Sequence, residues 1–172
     1  MTQQNYKKLF WFIFALFLPT FVGMSIVDAF LKTPVTPYGI ISFEFCGFTL
    51  SCQSALESWK NSGQLFAMLS LGLDYLFLVL YPALIATGLV LMTSKLTGTL
   101  TAINKMVIFS CVVISLCDAI ENYALIQIIL SQAENSNGMI AAIFASIKFA
   151  LLGIAVLWLL FVALRYWFFS KE

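Results

Sequence analysis

Long apolar runs separated by short polar stretches dominate the chain and indicate its architecture. Four of these runs reach the ~20 residues that an α-helix needs to cross a bilayer. We therefore predict an all-α protein, a four-helix transmembrane bundle that forms a single domain over 1–172. The first run is too long and too aromatic for a cleaved signal peptide, so we expect a retained helix. The predicted spans cover positions 9–31, 65–93, 106–130 and 139–164.

The loop after the first span predicts a helix of a different kind. Beyond Pro34 and Pro37, apolar residues recur at steps of three or four over about 41–60, as in an amphipathic helix. We expect this helix to lie on the membrane surface or over the mouth of the bundle as a lid. Cys46 and Cys52 would then be about 9 Å apart along one axis, too far for a disulfide.

Basic residues lie mainly on one side of the predicted spans. Lys7 and Lys8 precede the first span, Lys95 and Lys105 bracket the second loop, and Arg165 follows the last span. Positive charge in short flanking segments stays on the cytoplasmic side of a membrane. We therefore expect both termini in the cytoplasm and the loop helix on the other side.

Ionisable and amide side chains inside the spans form the candidate site. Such groups are costly in hydrocarbon and usually face a protein interior, a water-filled cavity or a ligand. At ~1.5 Å per residue, their positions converge on the middle to outer half of the bilayer. The candidates are Asp74 in the second span, Asp118, Glu121 and Asn122 in the third and Lys148 in the fourth, with Asp28 and Glu44 above them near the non-cytoplasmic surface.

The balance of charge within the spans is uneven. Asp74, Asp118 and Glu121 face a single Lys148, so we expect at least one carboxyl group to be protonated near neutral pH. A purely structural alternative is that these groups fix the register of the helices. Interhelical hydrogen bonds contribute only ~0.6 kcal/mol on average, less than such groups cost to insert, which favours a functional site.

Small residues on the fourth span predict a helix contact. Ala142, Ser146 and Ala150 recur every four residues, a spacing that lets two helices approach closely. The partner helix belongs either to the same chain or to a second copy, which would make a homodimer. Pro19 and Pro82 lie within the first two spans and predict local bends.

Several kinds of chemistry are excluded or disfavoured. The chain has no histidine and no Cys-x-x-Cys pair, so we expect no metal site. It carries no glycine-rich phosphate loop or nucleotide motif, so we expect no cofactor. A net charge of +1 gives no indication of nucleic-acid binding.

Several short motifs resemble an uncharacterised family of small bacterial four-helix membrane proteins. That resemblance implies the same fold and a multi-pass location in the bacterial inner membrane, and it implies no activity. The motifs are SFE at 42–44, LGLDYLFL at 71–78, DAIEN at 118–122 and the later Lys148.

Two functions and a third possibility follow from these features. The first is a pocket for a small amphipathic or lipid-like molecule, open toward the non-cytoplasmic side, with catalysis left open. The second is a proton- or cation-coupled transporter in which Asp74, Asp118 and Glu121 form a relay. The third is a non-catalytic subunit of a membrane complex. The cytoplasmic halves of the spans are almost wholly apolar, which favours the pocket.

Overall fold

The computed structural model describes residues 2–49, 51–131 and 136–169, and every regular element in these ranges is helical. Four helical segments are long and apolar enough to cross a membrane, at Gln3–Ala29, Ser62–Met92, Thr99–Ser131 and Asn137–Trp167. The predicted all-α four-helix architecture is therefore confirmed. In chain order the α-helices are α1 (Gln3–Ala29), α2 (Ile40–Glu44), α3 (Cys46–Thr49), α4 (Cys52–Met92), α5 (Thr99–Ser131) and α6 (Asn137–Phe169), with a short 3-10 helix at Thr93–Lys95.

The long helices pack unequally. Helix α5 packs along both α4 and α6, whereas α1 packs along α4 and makes few contacts with α5 or α6. Only 6% of the spanning window of α1 is buried, compared with 44% for that of α4. Helix α1 is therefore an outer helix beside a core of α4, α5 and α6.

The small-residue face of α6 is partly buried within the same chain. Ala141, Ala142 and Ala145 are fully buried, while Ala150 is exposed. A Cβ atom on Gly47 of α3 would collide with the backbone of Gly138 at the start of α6. At this end, α6 therefore packs closely against α3, which belongs to the loop after α1.

The loop after α1 does not form the single helix over 41–60 that the sequence predicted. It contains α2, α3 and the first turns of α4, and α4 itself breaks at Lys60, where φ is 55° and ψ is −172°. The chain turns between α3 and α4, which brings the Cα atoms of Cys46 and Cys52 to 4.9 Å and allows a disulfide. The expectation of two unpaired cysteines was wrong because it assumed a continuous helix.

We call residues 40–60 the cap. Its interior is apolar around Phe43 and Trp59, whose rings meet edge to face. The Trp59 indole N–H donates to the carbonyl oxygen of Leu31 at 2.8 Å and to the hydroxyl of Thr36 at 3.0 Å. These bonds tie the cap to the segment that follows α1.

Candidate functional site

Lys148 is at the centre of a buried ion cluster between α5 and α6. Its ammonium nitrogen lies 3.0 Å from Oδ1 of Asp118 and 2.8 Å from Oε2 of Glu121. The three residues are 5%, 1% and 0% exposed, respectively. Each carboxylate therefore has a cation in direct contact in a region closed to solvent.

The sequence positions these groups through helix periodicity and loop length. Asp118 and Glu121 are three residues apart on α5, which places them on one face of the helix. Helix α5 ends at Ser131, ten residues after Glu121, and α6 begins at Asn137, eleven residues before Lys148. A short connection makes the two helices antiparallel, so Lys148 and Glu121 reach nearly the same depth.

Glu44 joins the cluster from the cap. Its Oε2 atom lies 3.6 Å from the ammonium nitrogen of Lys148, and the residue is 6% exposed. Among the described residues, this oxygen accepts no hydrogen bond. Burial raises the pKa of the Glu44 carboxyl above its ordinary value, and the nearby Lys148 ammonium opposes that rise.

Neutral donors connect the cluster to α4. The side-chain amide of Asn122 donates to Oδ2 of Asp74 at 2.6 Å, and the hydroxyl of Tyr81 donates to Oδ2 of Asp118 at 2.9 Å. Tyr81 was not among the predicted site residues. Its position seven residues after Asp74, on the same face of α4, is the sequence signal for it.

Asp28 is placed apart from the Lys148 cluster. Its Oδ1 atom accepts the backbone N–H of Ile40 at 2.7 Å, and its Oδ2 atom lies 3.7 Å from the exposed ammonium of Lys32. Gly39 has φ of 61°, and a Cβ atom there would collide with the Asp28 carboxylate. Asp28 therefore fixes the start of α2, and through α2 the position of Glu44.

The cluster forms one wall of a cavity of about 630 Å³ between α1, α4 and α6, beneath the cap. Most of the remaining wall is aromatic or aliphatic. Glu121 and Asn122 lie behind the wall and do not line it. The ionisable lining residues are Asp28, Lys32, Glu44, Asp74, Asp118 and Lys148, and the aromatic ones are Phe17, Phe21, Phe77, Tyr81 and Phe149.

The contact pattern of the helices indicates where the cavity is least enclosed, between α1 and α6. These two helices make few contacts, so helix packing does not close it there. On this side Phe21 of α1 is 49% exposed, and Phe149 and Val156 of α6 are 37% and 39% exposed. A molecule in the bilayer would meet an apolar rim at this opening.

A second buried polar group lies toward the other end of the bundle. The Asn104 amide donates to the Thr93 hydroxyl at 2.9 Å and to the Leu89 carbonyl at 3.3 Å, and its oxygen accepts the Trp158 indole N–H at 2.9 Å. Asn104 is fully buried. These bonds connect α4, α5 and α6. Asn104 lies before the start of the predicted third span at position 106, so the sequence interpretation did not include it among the polar groups of the bundle.

Comparison of the chain with protein-family models, curated proteins and solved structures found no match in any of the three.

Proposed function

We propose that this protein binds a small amphipathic or lipid-like molecule within the membrane. The apolar part of the molecule lies against the phenylalanines of α1, α4 and α6, and its polar part lies at the Lys148 cluster. The observation that carries the proposal is the position of that cluster on one wall of a 630 Å³ cavity with otherwise mainly apolar walls. A pocket of this size with a few convergent polar groups is typical of small-molecule sites.

The side opening favours a ligand that reaches the site through lipid. Its rim carries exposed Phe21 and Phe149, which suit an apolar chain or ring more than a hydrated ion. The cap covers the end of the cavity with Ile41 and Glu44 among its lining residues. The disulfide supports a non-cytoplasmic position for the cap, because such bonds persist in oxidising compartments.

Binding is favoured over transport by what lies below the cluster. Next to Tyr81, an apolar group that includes Ile85, Leu89, Cys111 and Ile114 fills the space between α4, α5 and α6. A relay through the membrane needs polar groups or water at successive steps, and this group interrupts such a path between Asp118 and the buried Asn104.

A substitution that fills the cavity tests the proposal without changing any charge. Ser70 is 1% exposed and lines the cavity, so Ser70→Phe would extend a ring into the space that the ligand needs. The matched control is Ser54→Phe, at an exposed position in the first turns of α4. Native mass spectrometry of protein extracted from its own membrane should find a bound small molecule in the wild-type chain and in Ser54→Phe, and none in Ser70→Phe.

Saturable binding of a pyrene-labelled alkyl alcohol provides a second readout. Wild-type protein and Ser54→Phe should bind it in lipid nanodiscs, and Ser70→Phe should lose most of this binding. Equal binding by all three proteins, or no bound mass and no saturable binding in the wild type, would contradict the proposal.

A further inference from the structure

The acids around the cavity outnumber the cations. Glu44, Asp118 and Glu121 all lie around the single ammonium of Lys148, which is in direct contact with the last two and 3.6 Å from the first. Lys32, the other lysine that lines the cavity, is at the mouth, pairs with Asp28 and has a side chain that is 57% exposed. Lys148 alone therefore does not balance the carboxylates beside it.

Two carboxyl groups on the cavity wall are not in direct contact with a cation. Glu44 lies 3.6 Å from the Lys148 ammonium, farther than Asp118 and Glu121 do, and Asp74 forms no ion pair within the described residues. Glu44 is more than nine-tenths buried, and its Oε2 atom accepts no hydrogen bond within the described part of the chain. Asp74 is 8% exposed and receives the neutral amide of Asn122. An opposite charge within about 4–6 Å favours the ionised form of a buried carboxyl group. Both groups therefore offer an acceptor site that a positively charged ligand would satisfy.

The aromatic walls suit the same kind of ligand. The rings of Phe17 and Phe77 stack with centroids 5.3 Å apart, and Tyr81 lies beside Phe77 with centroids 5.1 Å apart. On α6, the Lys148 nitrogen lies 4.8 Å from the centroid of the Phe149 ring, so one wall already presents an aromatic face to a cation. Aromatic faces attract organic ammonium groups, which also bury apolar substituents.

We propose that the ligand of this cavity is an amphipathic organic cation, with its ammonium group at Glu44 and Asp74 and its apolar chain or rings against the phenylalanines. This inference rests on the proposed function and specifies its ligand class. An anionic head group would meet an excess of acids, and a neutral one would leave Glu44 to share the single ammonium of Lys148 with Asp118 and Glu121. The volume of 630 Å³ accommodates a molecule of drug size.

A series of head groups on one tail tests the inference with wild-type protein. Dodecyltrimethylammonium, dodecanol and dodecanoate share a chain and differ in charge. Binding is measured in phosphatidylcholine nanodiscs, and empty nanodiscs give the partitioning background. We expect the cation to bind at least about tenfold tighter than the alcohol, the low end for a charged hydrogen bond, and the carboxylate to bind weakest. Equal or tighter binding of the alcohol or the carboxylate would overturn the inference.

Substitutions then locate the head group. Glu44→Gln and Asp74→Asn should each weaken binding of the cation by about tenfold and leave binding of the alcohol unchanged. The matched control is Glu57→Gln, because Glu57 is an exposed acid of the cap; it should change neither affinity. A preference for the cation that survives both substitutions would overturn the placement at these two residues.

The series also separates two kinds of failure. Binding of the alcohol or the carboxylate without preference for the cation refutes the charge of the ligand and leaves the pocket in place. Absence of saturable binding by all three probes refutes the proposed function as well. Because the wild-type series decides the ligand class, a variant that fails to fold does not affect that result.

Discussion

Replacing Lys148 by methionine tests how strongly one ammonium stabilises the bundle. The change keeps an unbranched apolar side chain on α6 and removes the cation in contact with Asp118 and Glu121. Glu44 loses its nearest positive charge at the same time. We expect a large loss in the free energy of unfolding, because three carboxyl groups would remain buried without a counter-charge.

The magnitude follows from two opposing contributions. At ~3 Å and an effective dielectric constant of ~20, each direct contact with Lys148 is worth roughly 5 kcal/mol of attraction. Removing each charge from water costs several kcal/mol, which offsets much of that gain when the cluster is complete. In Lys148→Met the cost remains and the attraction is lost, so we expect a net destabilisation of about 3–5 kcal/mol.

A triple variant distinguishes lost pairing from lost packing. Lys148→Met combined with Asp118→Asn and Glu121→Gln removes these opposing charges together, and replacement of a whole ion cluster is often close to neutral. We expect this variant to recover most of the stability that the single change loses. Lys105→Met, at an exposed position on α5, is the control and should change stability by no more than ~0.5 kcal/mol.

The assay is reversible unfolding by sodium dodecyl sulfate in mixed micelles, followed by tryptophan fluorescence at pH 8 and at pH 5. The penalty of Lys148→Met should be smaller at pH 5, where the orphaned carboxyl groups take up protons more readily. A loss below ~1 kcal/mol at pH 8, or a triple variant no more stable than the single one, would refute the reasoning.

Three further predictions use the same titration. Reduction of the Cys46–Cys52 disulfide should lower the free energy of unfolding by about 2 kcal/mol, the loop-closure value for so short a loop, and Cys46→Ser should abolish the effect of reductant. Asn104→Ala should cost about 1–3 kcal/mol, because the part-buried Trp158 N–H loses its acceptor; a cost near zero would contradict this role. Because burial raises the pKa of Glu44 above 4.5, the folded chain keeps a proton that the unfolded chain releases as pH rises past that value. Stability should therefore fall with rising pH across this window, and a slope unchanged in Glu44→Gln would exclude this source.

The spans and the ion cluster were accessible to prediction because each depends on local spacing. Apolar runs of sufficient length become spanning helices whatever their partners are. Asp118 and Glu121 share a face of α5, and equal distances from a short loop bring Lys148 opposite them. Because a buried charge without a partner is strongly destabilising, these groups are expected to form ion pairs with one another.

The cap was predicted less well because its apolar spacing continues across breaks in the chain. Residues at steps of three or four fit one helix, and the same residues also fit three helical pieces that fold on one another. Gly39, with its positive φ, allows the turn that brings Ile40 to Asp28, twelve residues earlier in the chain. The sequence predicted a pocket open toward the non-cytoplasmic side, but it did not predict the contribution of α1 to the walls, because that depends on how α1 packs relative to α4 and α6.

Because α6 is the last helix of the chain, Lys148 is synthesised after the acids that it neutralises. Chains emerge from the ribosome with the N-terminal end first, so α4 and α5 bring Asp74, Asp118 and Glu121 to the membrane before Lys148 has been made. Until then these acids must be neutral or hydrated, because hydrocarbon does not tolerate them as free charges. A nascent chain truncated before α6 would therefore carry acids without a counter-charge in its spans. The complete protein buries these acids beside Lys148, so their exposure would distinguish an incomplete chain from a complete one.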